Sequence, residues 1–202
     1  MTVLSIQQSS PGRLTITLDD GEKILSTPAV VADRRLFSGC ELNAESLAAL
    51  RSESSLTLAR EKALMLVSQR QMSAKELREK LRQKGYDAET ADRCVFWLQD
   101  HRLLDEESYA AAIVRHYTAK GYGPARVRAE MIRRGIPRGL QEEALAGIPT
   151  DNSRIDRFIA SRLRDPADRD ELRKLTAALY RRGFSGEEIR SALRRFHADL
   201  EE

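Results

Sequence analysis

One phrase recurs three times in this chain of 202 residues, and it fixes most of what the chain can become. The segments "LREKLRQKGYD", "VRAEMIRRGIP" and "LTAALYRRGFS" place Gly85, Gly135 and Gly183 at the same internal position, 50 and 48 residues apart. Eight residues before each glycine stands Leu77, Val127 or Leu175, and four before it Leu81, Met131 or Leu179. Tyr86, Ile136 or Phe184 follows directly, and Val95, Leu145 or Leu193 stands ten residues on. That spacing predicts a helix with one apolar stripe, a glycine stop in the left-handed conformation, and a second helix folding back. A further helix is expected ahead of each pair, at 57–69, 106–119 and 153–163, giving three imperfect three-helix modules in tandem.

The expected fold is therefore mainly α, with the modules at 57–104, 105–150 and 151–202 stacked in an elongated, curved array. Such a body offers a long surface and no deep pocket, which favours binding over catalysis. Residues 1–42 read differently. Leu14, Ile16 and Leu18 alternate with polar residues, and Asp20-Gly21 is expected to supply a pair of positive-φ residues for a tight hairpin turn over 13–27. A strand at 2–7 would add a third member to this small β element. Residues 43–56 are expected to form a connecting helix or linker, with Asn43 as its cap and Leu47 and Leu50 facing inward.

Charge narrows the class of partner. The net charge is +3, too small by itself to imply nucleic acid, but residues 115–138 hold seven Lys/Arg against a single acid. Within them "GYGPARVRAEMIRRGI" carries Arg126, Arg128, Arg133 and Arg134 beside only Glu130. Gly121, Gly123 and Pro124 read as a turn feeding a helix over 124–134, since proline suits the first helical turn. The string lacks the spacing of a nucleotide-binding loop, although the helix start could still attract a free anion. Arg126 and Arg133 are expected to share an outward face, while Arg128 and Arg134 flank the apolar stripe with their heads in water. Arg115 and Lys120 stand just upstream. Lys75, Arg78, Lys80, Arg82 and Lys84 repeat the theme in the first module, and Arg181, Arg182, Arg190, Arg194 and Arg195 in the third. Cations recurring at one joint of successive modules suit a polyanion. Tyr122, between two glycines, is the best placed of the aromatics to stack on an unpaired base, whereas Tyr86 and Trp97 fall at or beside core positions.

Catalysis finds little support. His101, His116 and His197 lack a second ligand at metal spacing, so no metal and no cofactor is expected. Asp105 in "DEES" is placed to cap a helix beginning at Glu106. Glu142-Glu143 and Glu187-Glu188 should fall in first turns, and Ser73 with Glu76 and Ser185 with Glu188 should form capping boxes. Cys40 and Cys94 read as free thiols in a reducing compartment, and the absence of a signal segment or a long apolar run points to the cytoplasm and away from membranes.

"SAKELREKLRQKGYD", "FWLQDHRLLDEESYAAAIVRHY", "KGYGPARVRAEMIRRGI" and "LYRRGFSGEEIRSAL" together resemble the RecX family of bacterial regulatory proteins, over roughly residues 60–197. Residues 1–56 depart from the family's compact core and look like an N-terminal extension. The resemblance implies tandem three-helix repeats that bind RecA filaments on single-stranded DNA, sit in the filament groove, and inhibit strand exchange and ATP hydrolysis. It also implies binding to DNA alone, single-stranded and with double-stranded DNA left open. Carried onto this chain, it places Tyr122, Pro124, Arg126 and Arg128 in the family's most recognisable stretch. Lys75, Arg78, Arg82, Lys120, Tyr122, Arg126, Arg128, Arg133, Arg134, Arg181 and Arg182 are the expected DNA or RecA contacts. Gly85, Gly121, Gly123, Pro124, Gly135 and Gly183 are expected to hold shape. The alternative is a stand-alone, helix-turn-helix-like DNA-binding module that acts on no recombinase.

Overall fold

A computed structural model describes residues 1–148, 152–165 and 168–198, with the side chains of 197 and 198 left aside. The chain divides into two compact units, Met1–Leu104 and Asp105–Glu202.

The first unit opens with an antiparallel meander, β1 (Val3–Ser10), β2 (Arg13–Leu18) and β3 (Lys23–Ser26), in the order β1-β2-β3. Ile16 pairs with Ile6 on one side and Ile24 on the other, so the alternating residues of β2 bury one face. The β2–β3 turn differs from expectation. Gly21 has φ +88° but Asp20 does not share the left-handed conformation. The Gly21 amide donates to the Leu18 carbonyl at 3.0 Å, and the Leu18 amide to the Glu22 carbonyl at 2.9 Å. This is a three-residue loop closed by one left-handed residue, which needs only a single glycine. A short helix not foreseen in the sequence, α1 (Pro28–Asp33), follows, with Thr27 as its cap.

The largest departure is α2 (Ala44–Gln69), one continuous helix where two were expected. No glycine or proline interrupts residues 44–69, and the polar run Ser52–Ser55 is not enough to stop a helix already nucleated. Its two halves serve different cores. Leu47 and Leu50 pack with Val3, Ile16, Leu18 and Ile24 of the sheet. Leu56, Ala59 and Ala63 pack with α3 (Ala74–Gln83) and α4 (Ala88–Asp100) through Leu77, Leu81, Cys94, Val95 and Leu98. Between the two cores the buried hydroxyls of Ser26 and Ser54 bond at 2.8 Å. The Ser73–Glu76 capping box forms with both reciprocal bonds, and Gly85 ends α3 at φ +94°. Cys40 and Cys94 are both free, and burial pushes the Cys94 thiol up to about 11.

The second unit holds α5 (Glu106–Ala119), α6 (Pro124–Arg134), α7 (Arg138–Ala146), α8 (Ser153–Ala160), α9 (Arg169–Arg181) and α10 (Gly186–Ala198). They form two three-helix cores. Tyr109, Ile113, Val127, Met131 and Ile136 make one, and Ile155, Ile159, Leu175, Leu179, Phe184 and Ile189 the other. The recurrent apolar positions behave as their spacing predicts: Leu77, Leu81, Val127, Met131, Leu175 and Leu179 are all buried, and Leu145 and Leu193 pack at the edges. Asp105 caps α5 by accepting from the Ser108 amide at 2.8 Å, and Ser185 with Glu188 closes the third module's capping box. Glu142 and Glu143 do not reach a first turn. α7 already starts at Arg138, so Glu142 lies one turn in and pairs with Arg138 at 3.0 Å.

Candidate functional site

The glycine–tyrosine–glycine–proline turn is a joint between the second and third modules. Gly121 leaves α5 in the left-handed conformation at φ +74°, and Gly123, at an ordinary φ of −83°, is the cap of α6. Gly123 needs to be glycine for another reason. A Cβ there would lie 2.6 Å from the carbonyl carbon of Gly183, and a Cβ on Gly183 would lie 2.6 Å from that of Arg126. Across this contact the Gly123 amide donates to the Arg182 carbonyl at 2.9 Å, and the Ala125 amide to the Gly183 carbonyl at 3.1 Å. Orphan donors at the start of α6 thus satisfy orphan acceptors at the end of α9, with the partial charges of the two helix ends opposed favourably. The amides of Arg126 and Val127 turn to the Gly123 carbonyl. The helix start is therefore occupied by protein, which corrects the expectation of a free anion there.

Arg182 fastens the joint with its side chain. Its guanidinium donates to the carbonyls of Lys120 at 3.1 Å and Gly121 at 3.3 Å. The same group lies 4.3 Å from the ring centre of Phe158 and 5.3 Å from that of Tyr122. Such a guanidinium, hydrogen-bonded at its edge and stacked on its faces, is held in one rotamer. Tyr122 is half-buried, with Tyr117 on its other flank at 5.5 Å, so it is a partly covered platform rather than an open one.

Beside the joint is a cleft of about 500 Å³ lined by Tyr122, Arg126, Phe158, Arg162, Arg181 and Arg182, with Ala178. Among the described residues its lining contains no carboxylate. Arg126, Arg162 and Arg181 are exposed, and among the described residues none of them is paired with an acid. Arg162 stacks on Phe158 at 5.1 Å. A second hollow, of about 280 Å³, shares Phe158 and Arg182 and is lined by Lys120, Arg154 and Arg157 among others.

The other cations are placed differently. Glu130, with only 7% of its side chain exposed, accepts from Arg133 at 2.5 and 3.0 Å and from Arg134 at 2.6 Å. Arg134 also donates to the Tyr109 hydroxyl. The bonds from Arg133 and Arg134 hold the Glu130 carboxyl down at about 2 against the cost of burial. Arg134, half-buried, is accordingly part of the second module's frame, with its head held by Glu130 and Tyr109. Arg133 remains exposed but is held by the same carboxylate. Arg128 is exposed on α6. In the first module Lys75 faces Glu79 at 4.0 Å and Arg78 pairs with Asp92 at 2.5 Å, while Arg82 is exposed. In the third module Arg195 reaches Asp156 at 2.7 Å, and Arg190 and Arg194 are exposed.

Sequence reasoning missed Arg162 and Phe158, which come to the joint only because α8 packs there. It also missed the Gly123–Gly183 contact. The available signal was Gly123 itself, a glycine at a cap position where serine or aspartate would otherwise be favoured. His197 lies outside the described side chains. Among the described residues no cluster of His, Cys, Asp or Glu could hold a metal ion, and no helix is long and apolar enough to cross a membrane.

Comparison with known proteins places these modules. Residues 59–98, 105–145 and 159–193 match the family models described as the first, second and third three-helix domains of RecX. The chain is 36% identical over 137 residues to "Regulatory protein RecX" of Xanthomonas axonopodis pv. citri (strain 306), covering 66% of this chain and 85% of the relative. It is 32% identical over 136 residues to the protein of that name from Halorhodospira halophila, covering 66% and 84%. In three dimensions it superposes on a crystal structure of regulatory protein RecX with a TM-score of 0.70 at 23% identity, over 93% of this chain and 96% of that one. Against RecX from Lactobacillus salivarius the TM-score is 0.62 at 20% identity, over 71% and 97%. A superposition over 93% of the chain reaches into residues 1–56, so the N-terminal region read as an extension beyond the core has a counterpart in that fold.

Proposed function

The chain belongs to the RecX family of regulatory proteins, and from that membership we propose that it binds the RecA recombinase filament and DNA and acts mainly by inhibiting strand exchange and ATP hydrolysis. The observation that supports this most is the joint of the second and third modules, where Arg126, Arg162 and Arg181 line a cleft that holds no acid among the described residues. A surface of that kind lowers its own electrostatic energy by accepting a polyanion, and each phosphate neutralised releases counterions from the strand. Lys120, Arg126, Arg128, Arg133 and Arg181 are the exposed members of the expected contact set in this unit, with Tyr122 beside them and Arg182 fixing the frame. Arg133 contributes from its pair with Glu130. Lys75, Arg78 and Arg82 are assigned to the same partners from the first module.

An inhibitor of this type works by binding one filament state better than another, because equal affinity for both would shift nothing. No reaction is assigned to the chain. The test is direct. The purified protein is expected to suppress the DNA-dependent ATPase of its host's recombinase, and to bind a preassembled filament more tightly than the bare oligonucleotide across a salt series. Tighter binding to bare DNA, with sequence preference and no effect on the ATPase, would instead identify a stand-alone DNA-binding module.

A further inference from the structure

We infer that the cleft between α6, α8 and α9 is the place where this chain holds a single strand of nucleic acid, gripping its phosphates with Arg126, Arg162 and Arg181. The inference rests on the proposed DNA binding and assigns it to one location. Three features converge there. The first is uncompensated charge: among the described residues the lining is free of carboxylates, whereas Arg133 and Arg134 already hold Glu130, and Lys75 and Arg78 face Glu79 and Asp92. A phosphate arriving at those other cations competes with a carboxylate already in place. In the cleft it meets none among the described residues, and it also relieves the mutual repulsion of the guanidiniums.

The second feature is preorganisation. Phe158 has Arg182 at 4.3 Å and Arg162 at 5.1 Å from its ring centre, so two guanidiniums are steadied by one aromatic before any ligand arrives. Less side-chain freedom is then lost on binding. The third is the half-exposed Tyr122 in the same lining, which offers ring surface to an unpaired base. A duplex keeps its bases stacked inside, and an acidic peptide has no base to present, so this combination of arginine and aromatic surface favours a single strand. The hollow beyond Phe158 and Arg182, with Lys120 and Arg157, continues the path for the next phosphates.

The experiment uses the full-length protein and a fluorescein-labelled oligothymidylate, followed by anisotropy over a KCl series. Arg126→Ala with Arg162→Ala is expected to weaken binding by about tenfold or more and to flatten the log–log salt slope by about 1.4, as expected for two lost phosphate contacts on a single strand. Arg138→Ala with Arg173→Ala should change affinity by less than about twofold, since those exposed cations already face Glu142 and Asp170 and belong to no proposed contact. Both altered pairs are exposed or half-exposed side chains, and thermal unfolding followed by circular dichroism checks that the fold is kept. Should the first variant fail to fold, Arg126→Gln with Arg181→Gln is read in its place against the same expectations. Unlabelled oligothymidylate should displace the probe at lower concentration than either a duplex of equal length or polyglutamate. Wild-type affinity and slope in the cleft variant, or better displacement by duplex or polyglutamate, overturns the assignment while leaving DNA binding intact. A wild-type protein that does not bind the single strand overturns both.

Discussion

Gly85, Gly123 and Gly183 look alike in sequence but are glycines for different reasons. Gly85 has φ +94° and open space where a Cβ would be, so Gly85→Ala should cost only the left-handed backbone penalty, about 1 kcal/mol. Gly123 has an ordinary φ and no space, and Gly183 has neither, so Gly123→Ala and Gly183→Ala should each cost about 2–4 kcal/mol through forced separation of the joint and its two hydrogen bonds. Urea unfolding of the three variants checks the order, and an equal cost for all three would contradict it. Glu130 gives a pH-dependent case. Its folded value of about 2 lies below the ordinary 4.5, so the stabilisation it supplies is complete above pH 4.5 and fades as pH falls towards 2. Glu130→Gln should therefore lower stability by about 2 kcal/mol at neutral pH, a figure already reduced for the exposure of Arg133, and the gap should close in acid. A gap that stays constant with pH would remove the carboxylate's charge from the account. The Glu130–Arg133–Arg134 spacing was legible as i, i+3 and i, i+4 pairs, but the burial that makes it a buried anchor was not.

At the scale of elements, local signals carried well and long-range ones did not. Helix caps at Ser73, Asp105 and Ser185, the glycine stops and the apolar stripes all depend on residues within one or two turns of each other. The continuity of α2 depends on the absence of a breaker and on two separate cores that share one rod, and only the first of these is written locally. Ser55→Pro is the corresponding test. In the middle of a continuous helix it should cost about 3 kcal/mol or more by urea unfolding, whereas a joint between two helices would tolerate it. The α6–α9 joint unites residues about sixty positions apart, so no periodicity could announce it. Arg182→Ala removes two donated bonds and the stack on Phe158, and should lower stability by about 2 kcal/mol. An unchanged unfolding midpoint would show that backbone pairing alone holds the modules together.

For the molecule as a whole, the threefold recurrence of one helical phrase was enough to read a mainly helical repeat protein, and the regulatory family came from the resemblance of four longer stretches. Counting cations was not enough to locate a binding surface. Lys75, Arg78, Arg133 and Arg134 have acids beside them, while Arg162, which no sequence pattern singled out, stands in a cleft without one among the described residues. What distinguishes those two groups is the carboxylate each meets after folding. The most direct test of the proposed activity is the DNA-dependent ATPase of the host recombinase, measured on preformed filaments with increasing amounts of the full-length protein and repeated at rising salt. Inhibition that saturates at low salt and weakens steadily as salt rises is the predicted result; a recombinase ATPase that the protein leaves untouched at every salt concentration would contradict it.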